Sequence, residues 1–521
     1  MRLKAENIEL NDEFRRALEL MESPDRHVFV TGKAGTGKST LLSWFRQNTR
    51  RNVVVLAPTG VAAINVDGQT IHSFFGFKPG VTPGKIRKLP KDQQRLLKEV
   101  DAIVIDEVSM VRADLLDCVD RSLRKNGRSK AQAFGGVKMV FIGDLYQLPP
   151  VVTPKERPLF EGPYASPYFF SAEVFRELKL EFVELEKIYR QKDNDFIGIL
   201  NALRNNSADG RELTLLNSRV GQKPEAKRKG RSELTVHLVP TNAMAQEINA
   251  EHLRALHTRT HVFPAEVDGT VDRSAWPADG ELELAVGAQV MFLNNDSLGR
   301  WVNGTMGRVS DITRDDDAPR IIVELEDGEE VDVERNTWDV LHYEWDEERE
   351  RIEAEKAGAF TQYPLRLAWA ITIHKSQGKT FDRVVIDMGR GAFAHGQTYV
   401  ALSRARTLEG VGLKVPIKKT HLLTDWRVVK FMTSFQYERS ESAMPLEEKM
   451  AFLAQAAARK SKVRLVYLKA NGDKSRRVVT PRRVGAEEYQ GKEFPGLLAF
   501  CHARNEERMF RVDRILELAE E

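Results

Sequence analysis

Gly32 to Ser39, GKAGTGKS, has the residue types and spacing to grip a triphosphate. Gly32, Gly35 and Gly37 let the backbone curl so that several N–H groups point inward, an arrangement that a Cβ at those positions would obstruct. Lys38 is spaced to reach the β and γ phosphates and the Ser39 hydroxyl to ligate Mg2+, with Thr36 and Thr40 completing the nucleotide-binding turn. A second chemical feature is the acidic pair Asp106-Glu107 at the end of the apolar run Ile103-Val104-Ile105. Asp106 can hold the same magnesium, directly or through water, and Glu107 can polarise an attacking water. Gln147, in GDLYQLPPV (Gly143 to Val151), is suited to sense the γ-phosphate or the lytic water. Arg190 in LEKIYRQ and Arg404 in YVALSRAR offer planar guanidinium groups for the charge that phosphoryl transfer spreads over the γ-phosphate oxygens. Taken singly, an acidic pair is an exposed turn and an arginine a surface salt bridge; the phosphate loop upstream is what favours hydrolysis.

These residues need strands that end at a common cleft. Val28 to Val30, Val53 to Leu56, Ala102 to Ile105 and Met139 to Ile142 are short apolar runs, each followed at once by polar or Gly-rich residues, as in parallel sheets with functional loops at their C-terminal ends. Ser39 to Gln47 reads as the helix leaving the phosphate loop, its positive end toward the phosphates. A later series, Leu234 to Val239, Ala368 to Ile373 and Val384 to Ile386, predicts a second α/β domain in tandem. Between them, Ala288 to Leu293, Met306 to Ile312 and Ile321 to Val333 read as antiparallel strands, the last split by the Asp327-Gly328 turn. They predict a small β-barrel inserted in the second domain, followed by a solvated charge run from Glu344 to Lys356.

At 521 residues the chain is too long for one core. With 41% hydrophobic and 30% charged residues it should be folded and soluble, and a net charge of +3 excludes a uniformly basic coat, so any nucleic-acid surface must be local. Cys118 and Cys501 lack metal-ligand spacing and suit a reducing cytosol. Met1 to Leu20 is charged throughout, unlike a signal peptide, and no run has the apolar length of a membrane span.

Together the stretches resemble the PIF (petite integration frequency) family of DNA helicases, in the superfamily that also contains RecD. The matching motifs, besides GKAGTGKS, IDEVSM and GDLYQLPPV, are APTGVAA (57–63), GQTIHSFFG (68–76), YRQ (189–191), VPTNAMAQEIN (239–249), WVNGTMG (301–307), ITIHKSQGKTF (371–381) and YVALSRAR (399–406). The segment 110–136 resembles the family's signature region, and order and spacing agree from about residue 8 to 413. The resemblance implies an α/β fold of two RecA-like P-loop domains. Domain 1A covers 1–190 with a wedge, 1B, near 77–96, and domain 2A covers 191–287 and 361–430 with an SH3-like insertion, 2B, at 288–360. It implies ATP and Mg2+ as cofactors, hydrolysis in the cleft between the domains, and stepping 5′ to 3′ along single-stranded DNA to unwind forked or tailed duplex. Thr59, His72, Phe74, Thr241, Asn242, His374 and Ser376 fall on the motifs expected to touch DNA, through hydroxyls, amides and stacked rings. For His72 and Phe74 the competing reading is a packed core edge. Gly378 lies where the DNA track meets the nucleotide cleft. One departure concerns the N-terminal L-x-x-E-Q segment that reads adenine: here it is Leu10 to Phe14, and Phe14 cannot make that contact.

Residues 431–460, which include the Ala-rich stretch EKMAFLAQAAAR, read as a helical linker to a β-rich unit at 461–521. That unit resembles a WYL domain, a small Sm-like module of bacterial regulators, with the naming triplet changed to Val466-Tyr467-Leu468 and a hairpin turn expected at Asn471-Gly472. From Lys462 to Arg483 eight basic residues face a single acid, Asp473. Tyr467, Arg476, Arg482, His502, Arg504 and Arg511 are the candidates for binding a single-stranded nucleic acid or nucleotide ligand; the alternative is a solvated face whose arginines pair with nearby glutamates. The expected protein is a monomeric, cytoplasmic, nucleoid-associated bacterial helicase. An ATP-switched DNA-binding regulator and a RecD-like subunit of a recombination complex remain alternatives.

Overall fold

The computed structural model describes residues 11–521 apart from 79, 155, 161, 192, 226–233, 270–272, 274–275, 315–318, 347–350, 390, 393, 470–473 and 490. Leu10 and the Asn471-Gly472 turn lie outside the described residues. The chain forms two compact units, one running to Leu423 and the other from Thr424 to Glu521 together with Asn205–Ser207.

The first unit is built on a six-stranded parallel sheet: β1 (His27–Gly32), β2 (Val53–Ala57), β3 (Gln69–Thr70), β4 (Ala102–Ile105), β5 (Lys138–Ile142) and β6 (Leu180–Leu185) in the order β3-β2-β4-β5-β1-β6. The central strands are apolar without alternation because both faces are covered. Helices α1 (Asp12–Glu22) and α2 (Lys38–Asn48) cover one face, burying Phe14, Ala17, Met21, Leu41 and Phe45 against Val28, Val30, Val104 and Val140. β6 carries Glu181 and Glu184 among its apolar residues and buries only Val183 and Leu185, as suits its place at the sheet edge.

A second parallel sheet has the order Ala370–Thr372, Val236–Val239, Val384–Ile386, Val411–Leu413. Its edge is pinned by Asn249, whose Nδ2 donates to the Ala370 carbonyl at 2.9 Å and whose Oδ1 accepts the Ala370 N–H at 2.8 Å. Between its strands lies a five-stranded antiparallel sheet ordered Glu330–Val333, Pro319–Leu325, Met306–Arg314, Gln289–Phe292, Leu365–Leu367, with Val323 opposite Val331 across the Asp327-Gly328 turn. Antiparallel pairing begins before residue 288: His261–Pro264 pairs with Glu281–Leu284 as a separate two-stranded sheet, and Glu266–Gly269 pairs with a long hairpin. The charge run from Glu344 to Lys356 falls in a long hairpin, Asn336–Asp346 with Arg351–Gln362, whose third partner is Glu266–Gly269.

In the second unit a five-stranded antiparallel sheet is ordered Glu506–Arg511, Lys492–Cys501, Lys474–Tyr489, Val463–Leu468, Ile515–Glu520. The Ala-rich segment is no free linker. As helix Leu446–Arg459 it lays Leu453 and Ala456 on Val463, Leu465, Val479 and Leu497, completing a core that the sheet could not close alone.

Candidate nucleotide and nucleic-acid site

The phosphate loop leaves β1 and turns into α2 through Gly35 and Gly37, both with positive φ. At Gly35 the neighbour is Arg190: a Cβ there would collide with the arginine's own Cβ, and the Gly35 carbonyl accepts the Tyr189 N–H at 2.9 Å. The loop is therefore the floor on which Arg190 rests. A cavity of about 550 Å³ opens above it, lined by Gly35, Thr36, Gly37, Lys38, Ser39 and Thr40, by Glu107 and Gln147, and by Arg190, Gly378 and Arg404. Residues nominated from distant parts of the sequence thus share one chamber.

The cations of that chamber are short of anions. Lys38 Nζ donates to the carbonyls of Gly32 (2.8 Å) and Lys33 (3.0 Å), and burial pushes its pKa down. Arg190 donates to the carbonyls of Ser403 (3.4 Å) and Gly378 (3.3 Å), and Arg404, 1% exposed, to those of Val400, Ser376 and Lys379. Burial lowers the pKa of both arginines, and Arg190 further depresses Arg404. At the end of β4 the imbalance reverses. Burial, reinforced by Glu107, raises the pKa of Asp106, and burial raises that of Glu107. Desolvated cations facing buried carboxylates are what a polyphosphate and a divalent cation together would satisfy. The donor set, the Ser39 hydroxyl and the Asp106 carboxylate, suits Mg2+, which keeps most of its waters and takes one or two protein oxygens. Among the described residues no cage of three or more His, Cys, Asp or Glu side chains exists.

Three partners of this site were missed by sequence reasoning. Asp144 lies three residues before Gln147, whose Nε2 donates to it at 3.4 Å. Asp144 also forms a buried ion pair with Arg204 at 3.2 Å, and the Arg204 guanidinium lies 4.1 Å from the centroid of the Tyr146 ring. Tyr399 Oη donates to Asp144 at 3.4 Å and accepts the Ala34 N–H of the phosphate loop at 3.0 Å. Asp144 and Tyr399 stood inside the quoted motifs, where the strand-end acid and the helix tyrosine were available signals; Arg204, in helix Asn194–Arg204, had none. Gly396 lets the Tyr399 helix start directly on the backbone carbonyls of Tyr146 and Gln147, where a Cβ would clash.

The candidate DNA contacts divide. Thr59 and Thr241 occupy equivalent places, each exposed, each the N-cap of the helix after a parallel strand, accepting from the N–H of Ala62 and Met244 at 3.3 Å. Asn242 is exposed beside Thr241, and His72 and His374 are half-buried. Phe74 is packed, 5% exposed, edge-to-face with Phe75 (4.9 Å) and with Tyr343 (5.9 Å) of the long hairpin. Ser376 is fully buried and spends its hydroxyl on the Ile373 carbonyl at 2.7 Å. Neither side chain is open to a base or phosphate in this arrangement, because each closes a turn or a seam of the fold. Phe14 is buried and lines the nucleotide cavity, its ring edge against Gly37.

In the second unit the six ligand candidates do not converge. Arg476 pairs opposite Val466, so it points to the face opposite Tyr467. Tyr467 packs edge-to-face on Phe510 and accepts the Arg511 N–H at 3.4 Å. The Arg511 guanidinium is held by Asp513 at 2.6 Å, and Arg482 faces Glu507 at 3.8 Å. His502 shares a hydrogen bond with Thr480 at 2.9 Å, and His502 and Arg504 are exposed. Arg477, not Arg476, lies on the Tyr467 side, donating to Ser475 Oγ and Cys501 Sγ.

Two parallel-sheet domains closing arginines onto a phosphate loop define a P-loop nucleoside triphosphatase of the helicase type. Residues 9–211 match the PIF1-like helicase family, 367–409 the UvrD-like helicase C-terminal domain, and 448–520 the WYL domain. The chain is 32% identical over 439 residues to the ATP-dependent DNA helicase Pif1 of Bdellovibrio bacteriovorus, covering 82% of this chain and 93% of that protein. It is similar to the crystal structure of Bacteroides sp Pif1 in complex with ADP-AlF4, with 38% identity, a TM-score of 0.74 and 83% and 98% of the two chains covered. Bacteroides Pif1 bound to ssDNA aligns with a TM-score of 0.61 at the same identity and coverage. The chain belongs to the PIF1-like helicase family.

Proposed function

We propose that the protein is an ATP-dependent DNA helicase that moves 5′ to 3′ along single-stranded DNA and unwinds forked or tailed duplex. The observation that carries this reading is the cavity in which Lys38, Glu107 and Gln147 of one domain meet Arg404 of the other. ATP enters with its phosphates on the loop N–H groups and Lys38. Ser39 and Asp106 would hold Mg2+, which when bound would screen the phosphate charge. Glu107 takes a proton from the attacking water, while Arg190 and Arg404 exchange backbone carbonyls for γ-phosphate oxygens. Asp144 ties Gln147 to Tyr399 and Arg204, so loss of the γ-phosphate is felt at the domain seam.

The exposed N-caps at Thr59 and Thr241, one per domain, are the phosphate grips whose separation changes as the cleft opens and closes. Direction rests on family membership. The antiparallel insertion is read as SH3-like, and the C-terminal sheet as an Sm-like module that aids single-strand binding through exposed Arg464, Arg476, His502 and Arg504. Phe14 and the exposed ring of Tyr189 flank the nucleotide cavity and offer a base apolar stacking in place of edge recognition. ATP turnover measured with and without a single-stranded oligonucleotide tests the reading. Strong stimulation is expected, and a DNA-independent rate would contradict it.

A further inference from the structure

A second cavity of about 430 Å³ shares Gly378, Thr380 and Arg406 with the nucleotide cavity. The wall between them is built around Lys379, and its other side is the loop Trp301 to Gly304 of the antiparallel insertion. Asn303, in that loop, turns its side-chain carbonyl, its side-chain amide and its backbone N–H each toward a different partner. Its Oδ1 accepts from Lys379 Nζ, its Nδ2 donates to Asn65 Oδ1 at 3.2 Å, and its N–H donates to Asn295 Oδ1 at 2.8 Å. Asn65 is the last residue of the helix that Thr59 caps, in the first domain. Lys379 belongs to the second domain, where its carbonyl accepts from Arg404 Nη1 at 3.3 Å and the preceding carbonyl, of Gly378, accepts from Arg190 at 3.3 Å.

An unbroken run of contacts therefore joins the Thr59 cap to both arginines of the nucleotide cavity: helix Gly60–Asn65, then Asn303, then Lys379. A side-chain amide is suited to this place because it accepts from an ammonium and donates to a second amide at once. The Lys379 bond is the stronger half, being charge-assisted and part-buried where the Asn65 bond is exposed. Movement of the first domain relative to the insertion acts on the Asn65 arm, and the Lys379 arm passes it to the carbonyls on which Arg190 and Arg404 sit.

We propose that Asn303 and Lys379 are positioning residues that couple single-strand occupancy to the arginines of the hydrolytic site. The proposal rests on the helicase reading above. Because spatial continuity alone does not prove coupling, the test is a double-mutant cycle on the full chain. Lys379→Met keeps most of the length of the side chain and removes its charge; Asn303→Ala removes both arms, and Asn303→Asp keeps an acceptor for Lys379 while losing the donor to Asn65.

ATP turnover is measured with and without single-stranded oligonucleotide, and nucleotide-free DNA affinity by anisotropy. Expected are a drop of about tenfold in the DNA-stimulated rate for Lys379→Met and for Asn303→Ala, as for one charge-assisted hydrogen bond lost at the transition state. The double variant should be no worse than the poorer single one, with the DNA-free rate and affinity within about twofold of the parent. Asn303→Asp should fall between parent and Asn303→Ala. Undiminished stimulation in the single variants, additive losses, or equal losses with and without DNA would overturn the coupling. If the parent chain itself shows no stimulation, the helicase reading and the coupling fall together, whereas a stimulated parent with equally stimulated variants removes the coupling alone.

Discussion

In the proposed mechanism Lys38 is the residue on which hydrolysis turns. Its ammonium is parked on the Gly32 and Lys33 carbonyls, so it is desolvated in advance and exchanges two neutral acceptors for phosphate oxygens without drawing charge from bulk water. Lys38→Ala should lower ATP turnover by at least about a hundredfold while nucleotide-free binding to single strands stays within about twofold; steady-state hydrolysis and anisotropy measure the two. Phe14 makes a different prediction. A phenyl ring has no edge to read an exocyclic amine, so GTP should compete with ATP to within about tenfold, and Phe14→Gln should widen the gap in favour of ATP. Much of this scale was legible in the sequence, because the loop, the acidic pair, Gln147 and the two arginines sit at strand ends or in motifs with fixed spacing. Phe74 and Ser376 were misplaced for a physical reason: a motif gives the position of a side chain in the chain, while whether it turns inward depends on partners, Tyr343 and Ile373, that no local pattern shows.

At the scale of elements, the first sheet depends on a histidine that must stay neutral. His27 Nδ1 accepts the Met139 N–H at 3.0 Å, bridging the starts of β1 and β5, and burial, aided by Lys138, lowers its pKa to about 4. The unfolded chain binds a proton at the usual histidine value, so between about pH 6.5 and 4 it holds more protons than the folded one, and stability is lost as pH falls through that window. Chemical denaturation at pH 7 and 5 should show a loss of about 2 kcal/mol from this group, and His27→Asn should reduce that difference. The buried Asp144–Arg204 pair gives the second prediction here. Asp144→Asn leaves the Arg204 guanidinium desolvated without its partner, which should cost about 3–5 kcal/mol in denaturant midpoint experiments and weaken hydrolysis with it. The apolar central strands were readable from sequence, and β4 and Val384–Ile386 have the expected limits. β6 was not, because Glu181 and Glu184 interrupt its apolar run, and neither was the hairpin from Asn336 to Gln362, whose charge density suited a solvated arm.

For the whole molecule, a phosphate loop on one parallel sheet faces an arginine from a second parallel sheet, the arrangement that suits a helicase-type ATPase whose two domains close on the nucleotide. The C-terminal unit has its own core, closed by helix Leu446–Arg459, so removing residues 424–521 should leave ATP turnover by the first unit intact and weaken its apparent affinity for single strands. Unchanged affinity in the truncated chain would assign that unit to something other than DNA engagement. The most direct test of the account is strand displacement on a duplex with a single-stranded tail, comparing 5′ and 3′ tails, with ATP and with a non-hydrolysable analogue. Displacement of the 5′-tailed duplex with ATP alone, and little from the 3′-tailed one, is the predicted result; displacement that is absent with ATP, or equal with the analogue, would contradict a hydrolysis-driven helicase.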